Sequence, residues 1–113
     1  MTEANSPLFH IVAATAWEQA VATGEYRPPS LAEQGFVHFS FREQVARTAN
    51  LLYHEQDGLV VVEFDPARLR APVVNEDLYD AGEQFPHVYA AIPAAAAVAV
   101  HPLHRGPNGR YRF

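Results

Sequence analysis

A chain of 113 residues, 49% hydrophobic and 12% aromatic, supplies one globular domain and can bury roughly two-thirds of its unfolded surface without staples. It has no cysteine, which removes disulfides, thiolate nucleophiles and cysteine–zinc sites. All eight basic residues are arginine, which removes Schiff-base lysines and Walker-type phosphate loops, and a net charge of −5 argues against general nucleic-acid binding and anionic membranes.

The first basic residue is Arg27, so the start lacks the charge of a signal peptide, and no apolar run approaches transmembrane length. The expected location is the cytoplasm. "LFHIV" (8–12) reads as a strand. "TAWEQAVATG" then turns helical, with Thr15 and Glu18 as a capping box, Gly24 as the stop, and Trp17, Ala20 and Val21 facing inward. In "EYRPPSLAEQG" (25–35) the paired Pro28 and Pro29 argue against regular structure. Ser30 and Glu33 are spaced to cap one helical turn ending at Gly35.

"FVHF" (36–39) is the second strand. Ser40 with Glu43 forms a third capping box, opening a helix to about His54 with Phe41, Val45, Thr48 or Ala49, and Leu52 as its buried stripe. "LVVVEF" (59–64) is the most β-branched run and the expected central strand. Asp65-Pro66 caps a brief turn, and "PVVN" is a fourth strand. The acidic segment 76–84 reads as a loop. "PHVYA" and "AAVAVHPL" are further strands, and the Asn-Gly pair in "GPNGRYRF" predicts a terminal hairpin over 101–113. The sum is a single α+β domain over 1–113: two main helices against a split or mixed sheet of about six short strands.

Chemistry concentrates in three strands. His10 shares a face with Leu8 and Val12, His38 with Phe36 and Ser40, and His87 with Tyr89, because side chains alternate along a strand. One histidine in an apolar strand is ordinarily a hydrogen-bonded core residue. Three of them, each needing a partner once buried, are most economically placed around one shared polar site. Ser40 has a complete explanation as an N-cap, and the same helix end offers free N–H groups to an anion. Arg27 is a rim residue or a phosphate clamp. Glu76, Asp77, Asp80 and Glu83 make a solvated loop or supply one catalytic carboxylate. No metal is expected, since the histidines are far apart and lack zincin spacing. A nucleophilic serine lacks its Gly-x-Ser-x-Gly elbow.

The ordered blocks "FHIVAATAWEQAVATGEYRPPSLAEQGFVHFSFREQV", "VVVEFDPARLRAPVVNED" and "FPHVYAAIP" resemble the small bacterial family known as domain of unknown function 952. The likeness spans about residues 8–100. The matching positions are His10, Tyr26 to Leu31, His38 and Ser40, Asp65 to Leu69, Glu76, and His87 with Tyr89. Ala90 stands where that family usually has glycine. The resemblance implies a compact relative of the ADP-ribosyltransferase fold, a split sheet around a cleft for NAD. By that likeness His10 would anchor a ribose, His38 with Ser40 would lie near phosphate or ribose, and His87 with Tyr89 would close the cleft. It implies catalytic roles for His10, His38 and His87, and ligand contacts for Arg27, Ser40, Tyr89 and Glu76. NAD enters as ligand or substrate rather than as a required cofactor. No glutamate lies on a strand matching the late catalytic one of those enzymes. The expectation is therefore a nucleotide-handling enzyme of the ADP-ribosyl- or phosphotransferase kind, or a non-catalytic module that binds a nucleotide in the same cleft.

Overall fold

A computed structural model describes residues 6–77, 80 and 82–113. In chain order these form β1 (Leu8–Ala13), α1 (Ala14–Thr23), β2 (Glu25–Tyr26), α2 (Pro29–Gln34), β3 (Val37–His38), α3 (Val45–Leu52), β4 (Leu59–Phe64), β5 (Val73–Glu76), β6 (Phe85–Val88), β7 (Ile92–Pro93), β8 (Ala97–Pro102), β9 (His104–Arg105) and β10 (Tyr111–Arg112). The β-branched run does become a central strand: β4 lies between β1 and β8. A second three-stranded sheet has the order β3-β6-β5, and two short ladders join β2 to β7 and β9 to β10. Every pairing among the described residues is antiparallel, so the sheet is split but not mixed.

The period of two divides β1 and β4 between two cores. Leu8, Val12, Val62 and Phe64 point to the larger one, closed by Trp17 and Ala20 of α1 and by Val37 and Val88 of the second sheet. Phe9, Ile11, Leu59 and Val61 point to the smaller one, closed by Val45 and Ala49 of α3 and Tyr111 of β10. Burial on both faces explains why β4 reads as a continuous apolar run rather than an alternating one. The Cα radius of gyration, 13.5 Å, is that of a compact domain of this length. No helix among the described residues is long and apolar enough to cross a membrane.

Several local expectations are corrected. Helix α1 starts at Ala14 directly from β1, so Thr15 lies inside it and Ala13 is the uncapped N-cap. Its end is as expected, with Gly24 in the left-handed conformation (φ 87°) and its N–H on Ala20 O. Only Trp17 and Ala20 of its face are buried, while Val21 is 56% exposed. The two prolines start a helix rather than forbid one. Pro29 opens α2, where the missing N–H costs nothing, and Pro28 precedes it in an extended conformation. Ser30 does not cap α2; its hydroxyl donates to Phe36 O at 2.9 Å.

The largest correction is at the strand-to-helix handover. Ser40 is still extended, exchanging both backbone hydrogen bonds with Phe9 at 2.9 and 2.7 Å. The chain then makes a 3-10 turn over Arg42–Gln44 before α3, and Phe41 occupies the cap position. Leu52, at the last turn of α3, is 57% exposed rather than buried. Asp65 caps its turn as expected, accepting from Ala67 N at 3.0 Å. The terminal hairpin forms as expected, with Tyr111 opposite Arg105. Of the acidic segment, Glu76 ends β5, and Leu78, Tyr79 and Ala81 lie outside the described residues.

Candidate functional site

The second sheet positions most of the predicted site. His38 on β3 pairs with His87 on β6, and β5 sets Val74 beside His87 and Glu76 beside Phe85. Side-chain alternation then sends Val37, Val88 and Val73 inward and collects Phe36, His38, Phe85, His87, Tyr89 and Glu76 on the opposite face. The rings interlock there. Phe36 stacks on His87 with centroids 4.1 Å apart, His38 lies 5.0 Å from His87 and 5.3 Å from Phe85, and Phe36 lies 5.3 Å from Tyr89.

Glu76 ties this face together. Its Oε1 accepts from the Tyr89 hydroxyl at 2.6 Å and lies 2.9 Å from His87 Nδ1. Those two donors, Tyr89 foremost, hold the Glu76 carboxyl below its usual range, and the same bond pushes the Tyr89 hydroxyl up. Glu76 is thus a strand residue aimed at two predicted site residues, not a member of a solvated loop. Asp77 instead accepts from Gly82 N at 2.8 Å, and Glu83 pairs with Arg47 and Gln44.

His10 reaches the cluster from β1. Its Nδ1 lies 2.6 Å from His38 O, and its Nε2 lies 2.7 Å from the Tyr26 hydroxyl. A carbonyl only accepts, so Nδ1 carries the proton and Nε2 accepts from Tyr26. Both nitrogens are engaged, leaving no lone pair on His10 for a metal. Burial pushes His10 down to about 4 despite the His38 carbonyl. Burial, then the neighbouring His87 and His10, pushes His38 down to about 4 as well. Burial raises the Tyr26 hydroxyl, which remains a donor.

Four predicted residues therefore converge through their side chains, His38, His87, Glu76 and Tyr89, and His10 braces them from the larger-core side through the His38 backbone carbonyl. Two do not. Ser40 sits with Phe9 on the other side of β1, 3% exposed, its hydroxyl 3.5 Å from Thr48 Oγ1. It is not the N-cap, and it lies apart from the histidine cluster. Arg27 lies at an open cleft of about 560 Å³ between α1 and the β2–α2 connection, lined by Gln19, Thr23, Glu25, Tyr26 and Pro28. There it bonds Glu25 at 2.5 Å, and Arg70 bonds the same carboxylate. The two guanidiniums, Arg70 first, hold Glu25 below the usual carboxylate range. The cleft touches the histidine cluster through Tyr26, whose ring lines the one and whose hydroxyl binds the other.

Sequence reasoning missed Phe85, and named Tyr26 only as a family-matching position without a role. Phe85 was accessible from its spacing, two residues before His87 on one strand. The role of Tyr26 had no such local signal, because its partner lies sixteen residues earlier on a non-adjacent strand. Ala90 needs no glycine: its φ is not positive, and its side chain packs against the larger core.

Comparison with known proteins locates the fold. A family model described as "Protein of unknown function (DUF952)" matches residues 11–100. Among solved structures, the crystal structure of protein CC0527 from Caulobacter crescentus is similar at 23% identity. It covers 95% of this chain and 94% of its own, with a TM-score of 0.82. The solution structure of CC0527 is similar at 22% identity, covering 92% and 90%, with a TM-score of 0.71. No curated protein matches the chain. Neither the family description nor these structures carries a link to ADP-ribosyltransferases, so the fold stands as a compact α+β domain shared with CC0527.

Proposed function

The chain belongs to the DUF952 family of proteins of unknown function, and on that premise we propose that it binds a ribonucleotide such as NAD at the His10–His38–His87 cluster. The observation that carries this reading is the convergence of His38 and His87 with Glu76 and Tyr89, braced through the His38 carbonyl by the His10–Tyr26 pair. The chemistry suits a ribonucleotide in each of its parts. Tyr89, 45% exposed, offers a face on which a planar base or nicotinamide stacks. His87 Nε2, with no partner among the described residues, offers a ring nitrogen to a ribose hydroxyl. Arg27, at the cleft beside Tyr26, shares the Glu25 carboxylate with Arg70, which leaves guanidinium donors of Arg27 for a phosphate. The volume of that cleft, about 560 Å³, falls in the usual range for small-molecule sites.

The reading is one of binding first. Transfer of an ADP-ribosyl or phosphoryl group would be a further step on the bound ligand. The test is a thermal-shift panel of NAD, ADP-ribose and a 2′-phosphorylated ribonucleotide. Ligand at a hundred times its dissociation constant adds about 2.7 kcal/mol, which raises the melting temperature of a domain this size by several degrees. His38→Ala should remove the response and leave the unliganded protein folded, since His10 bonds the His38 backbone carbonyl, which alanine keeps. Millimolar ligands that leave the wild-type melting temperature flat would reject the proposal.

A further inference from the structure

His87 leaves one polar atom unaccounted for. Its side chain is 0% exposed, yet its Nε2 has no hydrogen-bond partner among the described residues. Buried polar atoms are nearly always partnered, and each exception calls for a cause. The other ring nitrogen explains the state of this one. Nδ1 faces Glu76 Oε1 at 2.9 Å, and an ionised carboxylate only accepts, so Nδ1 carries the proton. In a neutral ring that leaves Nε2 with a lone pair and no proton. A second proton would add a buried N–H with nothing to receive it. Phe36, stacked at 4.1 Å and 22°, fixes the plane of the ring.

Resting on the ribonucleotide reading above, we infer that Glu76 and His87 form a proton-accepting dyad, in which Glu76 is the positioning residue and His87 Nε2 receives a ribose hydroxyl of the ligand. The unmet valence selects the ligand class. A molecule must bring a donor to Nε2, with a planar ring beside it for the exposed Tyr89; one that presents only acceptors leaves the nitrogen bare. Access requires a neighbour to turn aside. Tyr89 is the ring with solvent on its outer side, so it has the room to do so. The molecule also contains its own contrast. His101 meets Glu63 Oε1 at 2.8 Å through Nε2, so its tautomer is the reverse of that at His87, and its ring is partly exposed.

Nitrogen-15 NMR of the imidazole rings at neutral pH, on the free full-length protein, reads the first half of the inference. The expected pattern is a protonated Nδ1 and bare Nε2 at His87, and a protonated Nε2 at His101. Any proton on His87 Nε2 overturns the dyad, whatever the protein binds. The second half is read by comparing NAD with analogues deoxygenated singly at the 2′ or 3′ carbon of each ribose, an edit that leaves folding untouched. One analogue should bind roughly tenfold more weakly or worse and fail to shift the Nε2 resonance that NAD shifts. Equal binding by all of them overturns the hydroxyl assignment. A bare Nε2 in a protein that ignores every nucleotide overturns the ribonucleotide reading alone and upholds the dyad.

Discussion

His10 and His38 make the site a liability in acid. Both rings are pushed from about 6.5 to about 4, chiefly by burial. Between those values the unfolded chain binds protons that the folded chain refuses, so folding stability rises with pH through this window. Stability should accordingly be complete above pH 6.5 and fall as the pH drops toward 4, at up to about 1.4 kcal/mol per pH unit for each ring. Glu76 and Glu25 add to the loss only lower down. Their carboxyls are held below 4.5, so their contribution is lost as the pH falls from 4.5 through their folded values. Urea denaturation midpoints at pH 7, 6 and 5 isolate the histidines from the carboxylates. A midpoint that stays constant over that range would show that His10 and His38 are not held neutral by burial.

At the scale of elements, the handover from β3 to α3 turns on Gln44. Its Oε1 accepts from Phe41 N at 2.9 Å, filling the role expected of Glu43 in the capping box, and its Nε2 donates to Gln84 O at 2.8 Å and Glu83 Oε2 at 2.9 Å. One carboxamide thereby ties the start of α3 to the strand that carries His87. Gln44→Ala strands a buried backbone N–H and should destabilise by about 2 kcal/mol. Ser40→Asp should destabilise the domain strongly, because the site is closed to solvent and an ionised carboxylate there loses its hydration. Equilibrium unfolding of both variants decides the point; a Ser40→Asp variant as stable as wild type would return Ser40 to the cap. The misreading has a physical cause. A serine three residues before a glutamate fits the capping pattern, but the pattern cannot register that Phe9 already holds Ser40 in an extended bridge. Local signals read true where local chemistry decides. Gly24 stops α1, Asp65 caps its turn, β4 is central, and the period of two places His38 with Phe36 and His87 with Tyr89. They fail where a distant partner decides, as with Tyr26 on His10 or the carboxylate of Glu76.

Across the whole molecule, the two cores share one sheet, and the segment beyond the family match at residue 100 closes the smaller of them. Tyr111 is buried there at 5% exposure, its N–H on Asn50 Oδ1 at 2.7 Å and its carbonyl receiving Asn50 Nδ2 at 3.0 Å. Arg105 stacks over the Tyr111 ring at 4.1 Å and donates to the carbonyls of His54, Gln56 and Gly109. The hairpin is therefore part of the fold rather than a tail. Tyr111→Ala opens a cavity against Val45 and Leu59, and should cost roughly 3–5 kcal/mol, as large aromatic deletions do. The sole tryptophan, Trp17, reports from the other core. Since β1 and β4 contribute alternate side chains to both cores, loss on one face should be felt on the other as a single cooperative transition. Urea titrations of Tyr111→Ala followed by Trp17 fluorescence and far-ultraviolet circular dichroism should give coincident curves, both shifted to lower denaturant. Dichroism lost well before fluorescence would mean that α3 and the hairpin open as a separate unit. The β1-β4-β8 sheet would then hold its two cores independently, and the histidine cluster would be supported by the larger one alone.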